Sequence, residues 1–120
     1  MRNLLHRLTF WIFLSATIFS CKKDSNSPDH QVVNVIVKAN TDYSYEIGSL
    51  GDEDELSISR QPLHYLQSEI HRSADASYIY KPALNFSGTD EVELRKATGS
   101  DGATPNNKVT YILLKFSVTN

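Results

Sequence analysis

The chain of 120 residues contains a single cysteine, Cys21, so no disulfide can form within it. A folded domain must therefore be stabilised by its hydrophobic core, without a covalent cross-link. The lone cysteine also excludes the Cys-rich ligand sets of structural zinc sites. Tryptophan is equally scarce, since the only one is Trp11, near the N-terminus.

Clustered basic charge is missing as well. The chain carries 12 basic and 14 acidic side chains, a net charge of −2. Loss of an N-terminal signal that contains Arg2 and Arg7 would reduce the basic side chains to 10 against the same 14 acidic ones, which gives −4. Nucleic-acid-binding domains present a concentrated basic face. The composition therefore argues against a nucleic-acid partner.

The only extended apolar stretch, residues 8–19, is shorter than the roughly 20 residues of a transmembrane helix. Basic residues precede it, and the small Ser20 precedes Cys21. A basic start, a short apolar run and a small residue at the cleavage site are typical of a secretory signal. A plain secretory signal cut near Ser20 would leave a free thiol in an oxidising compartment, where such a thiol is a liability.

The segment Ile18-Phe19-Ser20-Cys21 resembles the lipobox of bacterial lipoproteins, in the looser form found in the Bacteroidetes group. The resemblance implies that Cys21 is the lipid attachment site, carries palmitate-type acyl chains and becomes the first mature residue. Because each buried methylene contributes about 0.8 kcal/mol, two or three chains anchor a protein almost permanently. Lys22, in place of aspartate, implies the outer membrane, with the domain facing either the periplasm or the cell surface.

Three regions follow from these patterns. We expect a signal peptide at residues 1–20, a flexible tether at 21–31 and one folded domain at 32–120. The tether is rich in Ser, Asn and Asp, a composition typical of flexible linkers. The remaining length suffices for a single compact domain.

The folded region is predicted to be almost wholly β. Runs of β-branched and alternating residues predict strands at 32–37, 43–47, 56–59, 78–80, 91–95 and 108–119. Residues 63–72 are ambiguous, because the apolar spacing fits a helix while Pro62 and Tyr65 favour extended structure; we expect a bent strand. About seven short strands separated by turns predict an antiparallel β-sandwich.

The final strand alternates most clearly. Its predicted core face carries Ile112, Leu114, Phe116 and Val118. The opposite face carries Tyr111 and Leu113 beside polar residues, so this pair is the candidate partner-facing surface.

The central stretch SYIYKPALNFSGTDEVEL, with ISRQPLH before it and GSDG and VTYILLKFSVT after it, is similar to the Ig-like, cadherin-like tandem domains of bacterial surface proteins. The matching positions are Tyr78, Tyr80, Pro82, Phe86, Gly88 and Asp90. The resemblance implies an Ig-like fold and structural roles for these residues: Pro82 starts a crossing between sheets, Phe86 closes one end of the core, Gly88 permits a turn and Asp90 caps backbone amides. The chain departs from the family at Val92-Glu93-Leu94, where aromatic residues are usual. It also shows one such domain, whereas the family has tandem repeats.

Candidate chemistry is sparse. The acidic run Asp52-Glu53-Asp54-Glu55, with Asp90 and Asp101, offers oxygen ligands for Ca²⁺, but it lacks the spaced ligand pattern of a known calcium loop, so a solvated acidic loop is the favoured interpretation. His64 and His71 are too few for a zinc site, and Ser59 with His64 lacks a nucleophile motif. We therefore expect neither an enzyme nor a cofactor.

The sequence as a whole favours a membrane-anchored envelope lipoprotein with a non-catalytic Ig-like domain for protein or surface interaction, as in adhesion or the packing of an envelope complex. Alternatives are a glycan-binding accessory lipoprotein that uses exposed tyrosines, a Ca²⁺-binding cadherin-like module or an inhibitor of a secreted enzyme. All six tyrosines follow the signal, but the mature chain would lack tryptophan, which weighs against a glycan site.

Overall fold

The computed structural model describes residues 27–99 and 108–120. Cys21, the predicted signal, most of the predicted tether and Asp101 lie outside these ranges. The described ranges contain no helix, and hence none that could span a bilayer. They form seven strands: β1 (Asp29–Lys38), β2 (Tyr43–Gly48), β3 (Glu55–Arg60), β4 (Tyr65–His71), β5 (Ala76–Pro82), β6 (Gly88–Thr98) and β7 (Lys108–Thr119).

The strands form a four-stranded sheet in the order β1-β7-β6-β3 and a three-stranded sheet in the order β2-β5-β4. The predicted all-β sandwich of about seven strands is thereby confirmed. One pair departs from the antiparallel expectation, because β1 runs parallel to β7. These are the first and last strands, so no hairpin between them imposes opposite directions.

Every strand except β7 differs from its predicted bounds at one end or both, and two of these differences are informative. β1 begins at Asp29 rather than at Val32, because residues 29–31 already pair with the start of β7. The ambiguous segment forms β4, which starts at Tyr65 after a loop, and the expected bend is a register shift between Tyr65 and Gln67.

The core joins the two sheets through aromatic side chains. All four residues predicted for the core face of β7 are buried. The Phe116 ring lies parallel to that of Tyr80 in the other sheet, with centroids 4.0 Å apart, and meets the Tyr43 ring edge-on at 5.9 Å. Such contacts add about 0.5–1.5 kcal/mol each to the burial of the rings. Phe116 is therefore central to packing between the sheets.

The two ends of the sandwich have different roles in the topology. The loops 39–42, 61–64 and 83–87 gather at one end, which we call the loop end. The start of β1 pairs with the start of β7 at the opposite end, where Asp29 faces Thr110. At about 3.3 Å per residue, the eight residue-to-residue steps of β6 from Asp90 to Thr98 separate these ends by about 26 Å. The chain therefore enters the domain far from the loop end.

Candidate functional site

The loop end is organised by one buried carboxylate. Asp90 lies near the start of β6, and its side chain is only 2% exposed. It accepts hydrogen bonds from the backbone amides of Leu63 (2.8 Å), His64 (2.7 Å) and Glu91 (2.9 Å). A buried carboxylate is tolerated when donors surround it in this way. The capping that the sequence predicts therefore takes place, and it fixes the loop before β4 as well as the residue that follows Asp90.

Tyr80 completes this network from the other sheet. Its single O–H is shared between two acceptors, the Asp90 carboxylate at 3.2 Å and the His64 carbonyl at 3.1 Å. Burial raises the pKa of Tyr80, and the nearby negative charge of Asp90 raises it further, so the hydroxyl stays protonated and remains a donor. Burial likewise raises the pKa of Tyr78 to about 12, while its hydroxyl bonds Ser68 at 2.7 Å. Both tyrosines of the motif are core residues.

The loop between β5 and β6 is held against the loop before β4. The Ala83 amide donates to the His64 carbonyl at 3.1 Å, and the His64 ring stacks on Phe86 with centroids 4.3 Å apart. Gly88 has a φ of +140°, and a Cβ there would lie 3.4 Å from the Phe86 ring. Glycine suits this position because of the positive φ, whereas a Cβ would make only an ordinary contact with the ring. Phe86 is half-buried against the end of the core.

An asparagine pair joins the third loop to this assembly. The Asn85 amide donates to the side-chain oxygen of Asn40 at 2.9 Å. Both residues have positive φ angles, 59° for Asn40 and 57° for Asn85, a conformation that asparagine tolerates better than most residues. Lys81 and Asp42 form an ion pair at 3.0 Å beside them. In the sequence, Asn40 precedes Thr-Asp and Asn85 precedes Phe-Ser-Gly, and both combinations are typical of turns. The sequence does not reveal that these two asparagines contact each other.

Two leucines project from this fixed framework into solvent. Leu63 is 85% exposed and Leu84 is 69% exposed. Their chain neighbours, His64 and Ala83, are joined by a backbone hydrogen bond. Tyr65 (40%) and Leu66 (53%), the first two residues of β4, are also exposed. Large exposed apolar residues on ordered loops are typical of interaction sites. Neither leucine stands out in the sequence, where each fits an ordinary strand or loop position.

The candidate pair predicted from β7 lies elsewhere. Tyr111 and Leu113 are half-buried on the outer face of the four-stranded sheet. The Tyr111 ring stacks on His30 with centroids 5.3 Å apart, and Arg95 of β6 lies opposite Tyr111. The structure therefore does not bring this pair to the loop end, and neighbouring strands partly cover it.

The acidic run forms a turn at the opposite end from Asp90. Asp54 accepts hydrogen bonds from the backbone amides of Gly51 (2.9 Å) and Gly99 (2.8 Å), which lower its pKa. Glu55 pairs with Arg95 at 3.1 Å. The grouping of the acidic run with Asp90 as Ca²⁺ ligands is wrong, because β6 separates the two sites and the Asp90 oxygens already accept four hydrogen bonds.

The remaining polar candidates are also apart. The Ser59 hydroxyl donates to the Glu93 carboxylate at 2.8 Å, whereas the His64 ring lies on Phe86. His71 is exposed in β4. Within residues 27–99 and 108–120, no three His, Cys, Asp or Glu side chains are grouped so as to hold a metal ion.

A shallow groove of about 610 Å³ begins beside Leu63 and runs over the outer face of the four-stranded sheet. An ion pair between Arg60 and Glu91 at 2.8 Å lies along it, and Lys115 lines the same groove. Leu63 therefore has a polar, charged margin on this side, which is the usual arrangement around the apolar centre of a protein interface.

No family model matches the chain, and no curated protein is significantly similar to it. Among solved structures, the endo-fucoidan hydrolase MfFcnA4 from glycoside hydrolase family 107 matches with a TM-score of 0.48 at 16% identity, over 74% of this chain and 13% of the hydrolase. The cysteine protease inhibitor EhICP2 from Entamoeba histolytica matches with a TM-score of 0.47 at 10% identity, over 76% of this chain and 96% of the inhibitor. Neither similarity is high enough to support a functional argument.

Proposed function

We propose that the protein is a membrane-anchored cell-envelope lipoprotein whose Ig-like domain binds another protein through the loop end. The observation that carries the proposal is the exposure of Leu63 and Leu84 on loops that the buried Asp90 holds in place. In a monomer alone, two such leucines would be exposed to water without any compensating contact.

The geometry favours binding because the loops are ordered in advance. Hydrogen bonds to Asp90 and between Asn40 and Asn85 fix the backbone from which the leucines project. An interface formed by fixed loops loses less conformational entropy on association than one formed by mobile loops. The two leucines supply apolar area at the centre, while Lys81 and Asp42 supply part of a polar rim.

The position of the loop end suits an anchored protein. The chain enters the sandwich at Asp29, at the far end from Leu63 and Leu84. An acylated Cys21 and a tether up to residue 28 would attach the chain to the membrane at the end opposite Leu63 and Leu84. The proposed role is non-catalytic, which agrees with the separation of Ser59 from His64 among the described side chains.

The anchor has a direct test in the intact mass of the native protein. We expect a mature product that begins at Cys21 and carries two or three acyl chains, and that partitions into the detergent phase. The Cys21→Ala chain should lack these masses and stay in the aqueous phase after any cleavage. An unmodified native product that partitions into water would contradict the lipoprotein assignment.

The loop end has its own test in the native size of the solubilised protein. We expect the wild type, extracted from its own envelope with mild detergent, to migrate in native electrophoresis together with a partner protein, as a species larger than two copies of the chain. Leu63→Asp combined with Leu84→Asp should abolish the larger species, because charge at the centre of an apolar interface costs binding at least tenfold at each site.

Ser73→Asp is the matched control, since it adds the same charge at an exposed turn at the opposite end of the sandwich. This variant should keep the larger species, and all variants should melt within a few degrees of the wild type because the changed residues are exposed. A larger species that survives in the double leucine variant would exclude the loop end as the binding surface.

A further inference from the structure

β1 leaves one long edge of the four-stranded sheet open. It pairs with β7 over all ten of its residues, from Asp29 to Lys38, without a register shift. Along its other side, no strand of the described chain pairs with it. The backbone N–H and C=O groups on that side are therefore a template for a further strand.

The other edge strands carry features that hinder such pairing. Each of β2, β3 and β4 contains a register shift, and each has charged or potentially charged side chains: Glu46 in β2, Glu55 and Arg60 in β3, and Glu69 and His71 in β4. Irregular backbone and charge are the usual protections of an edge. β1 has no charged residue, glycine or proline from residue 31 to 37. Among the described strands, β1 is thus the one edge that is ten residues long, pairs without a register shift and is uncharged along its centre.

The outer face of this edge is also apolar and exposed. Val32 is 56% exposed and Ile36 is 79% exposed, with the polar Asn34 between them. Val32 lies beside Leu113 of β7, so the apolar surface continues into the sheet. An edge of this kind is an aggregation hazard unless a partner strand covers it.

The sequence of β1 is complementary to itself in the antiparallel direction. When two copies pair about Asn34, Val32 lies opposite the partner's Ile36, and Val33 lies opposite the partner's Val35. The two-fold axis repeats each pair, and the two Asn34 amides face one another. A shift of two residues keeps the buried faces of the two copies on the same side of the sheet. Such a shift would place Val32 opposite the partner's Asn34. On the exposed face, only the register centred on Asn34 places Val32 and Ile36 opposite each other, whereas each neighbouring register places one of them opposite Asn34.

We propose that β1 pairs antiparallel with β1 of a second copy, so that two four-stranded sheets become one sheet of eight strands. The two-fold symmetry closes the assembly at a dimer, since each copy uses its one open edge. The dimer is independent of the binding at the loop end. It would carry its two loop ends at opposite ends of the continuous sheet.

Disulfide trapping tests the pairing and its register. The full chain with Cys21→Ser, which removes the natural thiol, receives either Asn34→Cys or Lys115→Cys. Residues directly opposite in an antiparallel pair have Cα atoms about 4.5–5.5 Å apart, within the range of a disulfide. Position 115 is the neighbour of Asn34 on β7, one strand further inside, so two such cysteines would be about 14 Å apart. We expect a covalent dimer as the main product for Asn34→Cys and only traces for Lys115→Cys.

The mass of the uncross-linked protein completes the test. In detergent, sedimentation of the full chain should give the mass of two copies, and Val32→Lys with Ile36→Lys should give that of one. Leu63→Lys, which charges an equally exposed apolar residue at the loop end, should remain a dimer. A monomeric parent chain, or equal cross-linking at positions 34 and 115, would overturn the proposal.

Discussion

Replacement of Asp90 by alanine should lower the free energy of unfolding by about 3–5 kcal/mol. The carboxylate accepts hydrogen bonds from three backbone amides and from the Tyr80 hydroxyl. Its removal leaves the part-buried amides of Leu63 and His64 without an acceptor, and each unsatisfied group costs about 1–3 kcal/mol. Urea denaturation measures the loss as a lower midpoint with an unchanged slope.

Two further variants distinguish the loss of these hydrogen bonds from the loss of a negative charge. Asp90→Asn should recover only part of the stability. The amide oxygen can still accept hydrogen bonds, but the NH₂ group takes the place of the second acceptor oxygen and faces backbone donors. Asp75→Ala removes an exposed carboxylate and should change the unfolding free energy by less than about 0.5 kcal/mol. An Asp90→Ala protein as stable as the Asp75→Ala protein would refute the role assigned to Asp90.

Phe116→Ala is expected to cost a similar amount, about 3–5 kcal/mol, for a different reason. The ring is 1% exposed and lies between Tyr80 and Tyr43, so its loss leaves a cavity where the two sheets meet. Since no disulfide can compensate, this loss is a large share of the 5–15 kcal/mol typical of a domain. Thermal unfolding followed by circular dichroism measures it.

The apolar control for this variant is Leu84→Ala. Leu84 is 69% exposed, so its truncation should shift stability by less than about 0.5 kcal/mol. If Phe116→Ala and Leu84→Ala melted at the same temperature, the assignment of Phe116 to the core between the sheets would be wrong.

Local patterns were sufficient to predict the strands and much of the core. The strict alternation of β7 identifies Ile112, Leu114, Phe116 and Val118 as one face, and all four are buried. Alternation works here because successive side chains of a strand point to opposite faces. The same rule places Tyr111 and Leu113 on the outer face, where they are half-buried.

Contacts between distant residues were beyond the reach of these patterns. Asp90 was predicted to cap amides, but the amides of Leu63 and His64 lie 27 and 26 residues away in the chain. The meeting of Asn40 with Asn85 depends on the packing of both sheets. An apolar residue such as Leu63 looks the same in the sequence whether it is buried or exposed, so the surface that carries the functional proposal needed the structure.

The most direct test of the loop end as a binding surface is photo-crosslinking in the cells that make the protein. A photoreactive amino acid replaces Leu63 in one chain and Ser73, at the opposite end, in another. We predict a protein adduct of discrete mass from position 63, absent from position 73 and lost when Leu84→Asp is added. Adducts from position 73 alone, or equal adducts from both positions, would contradict binding at the loop end.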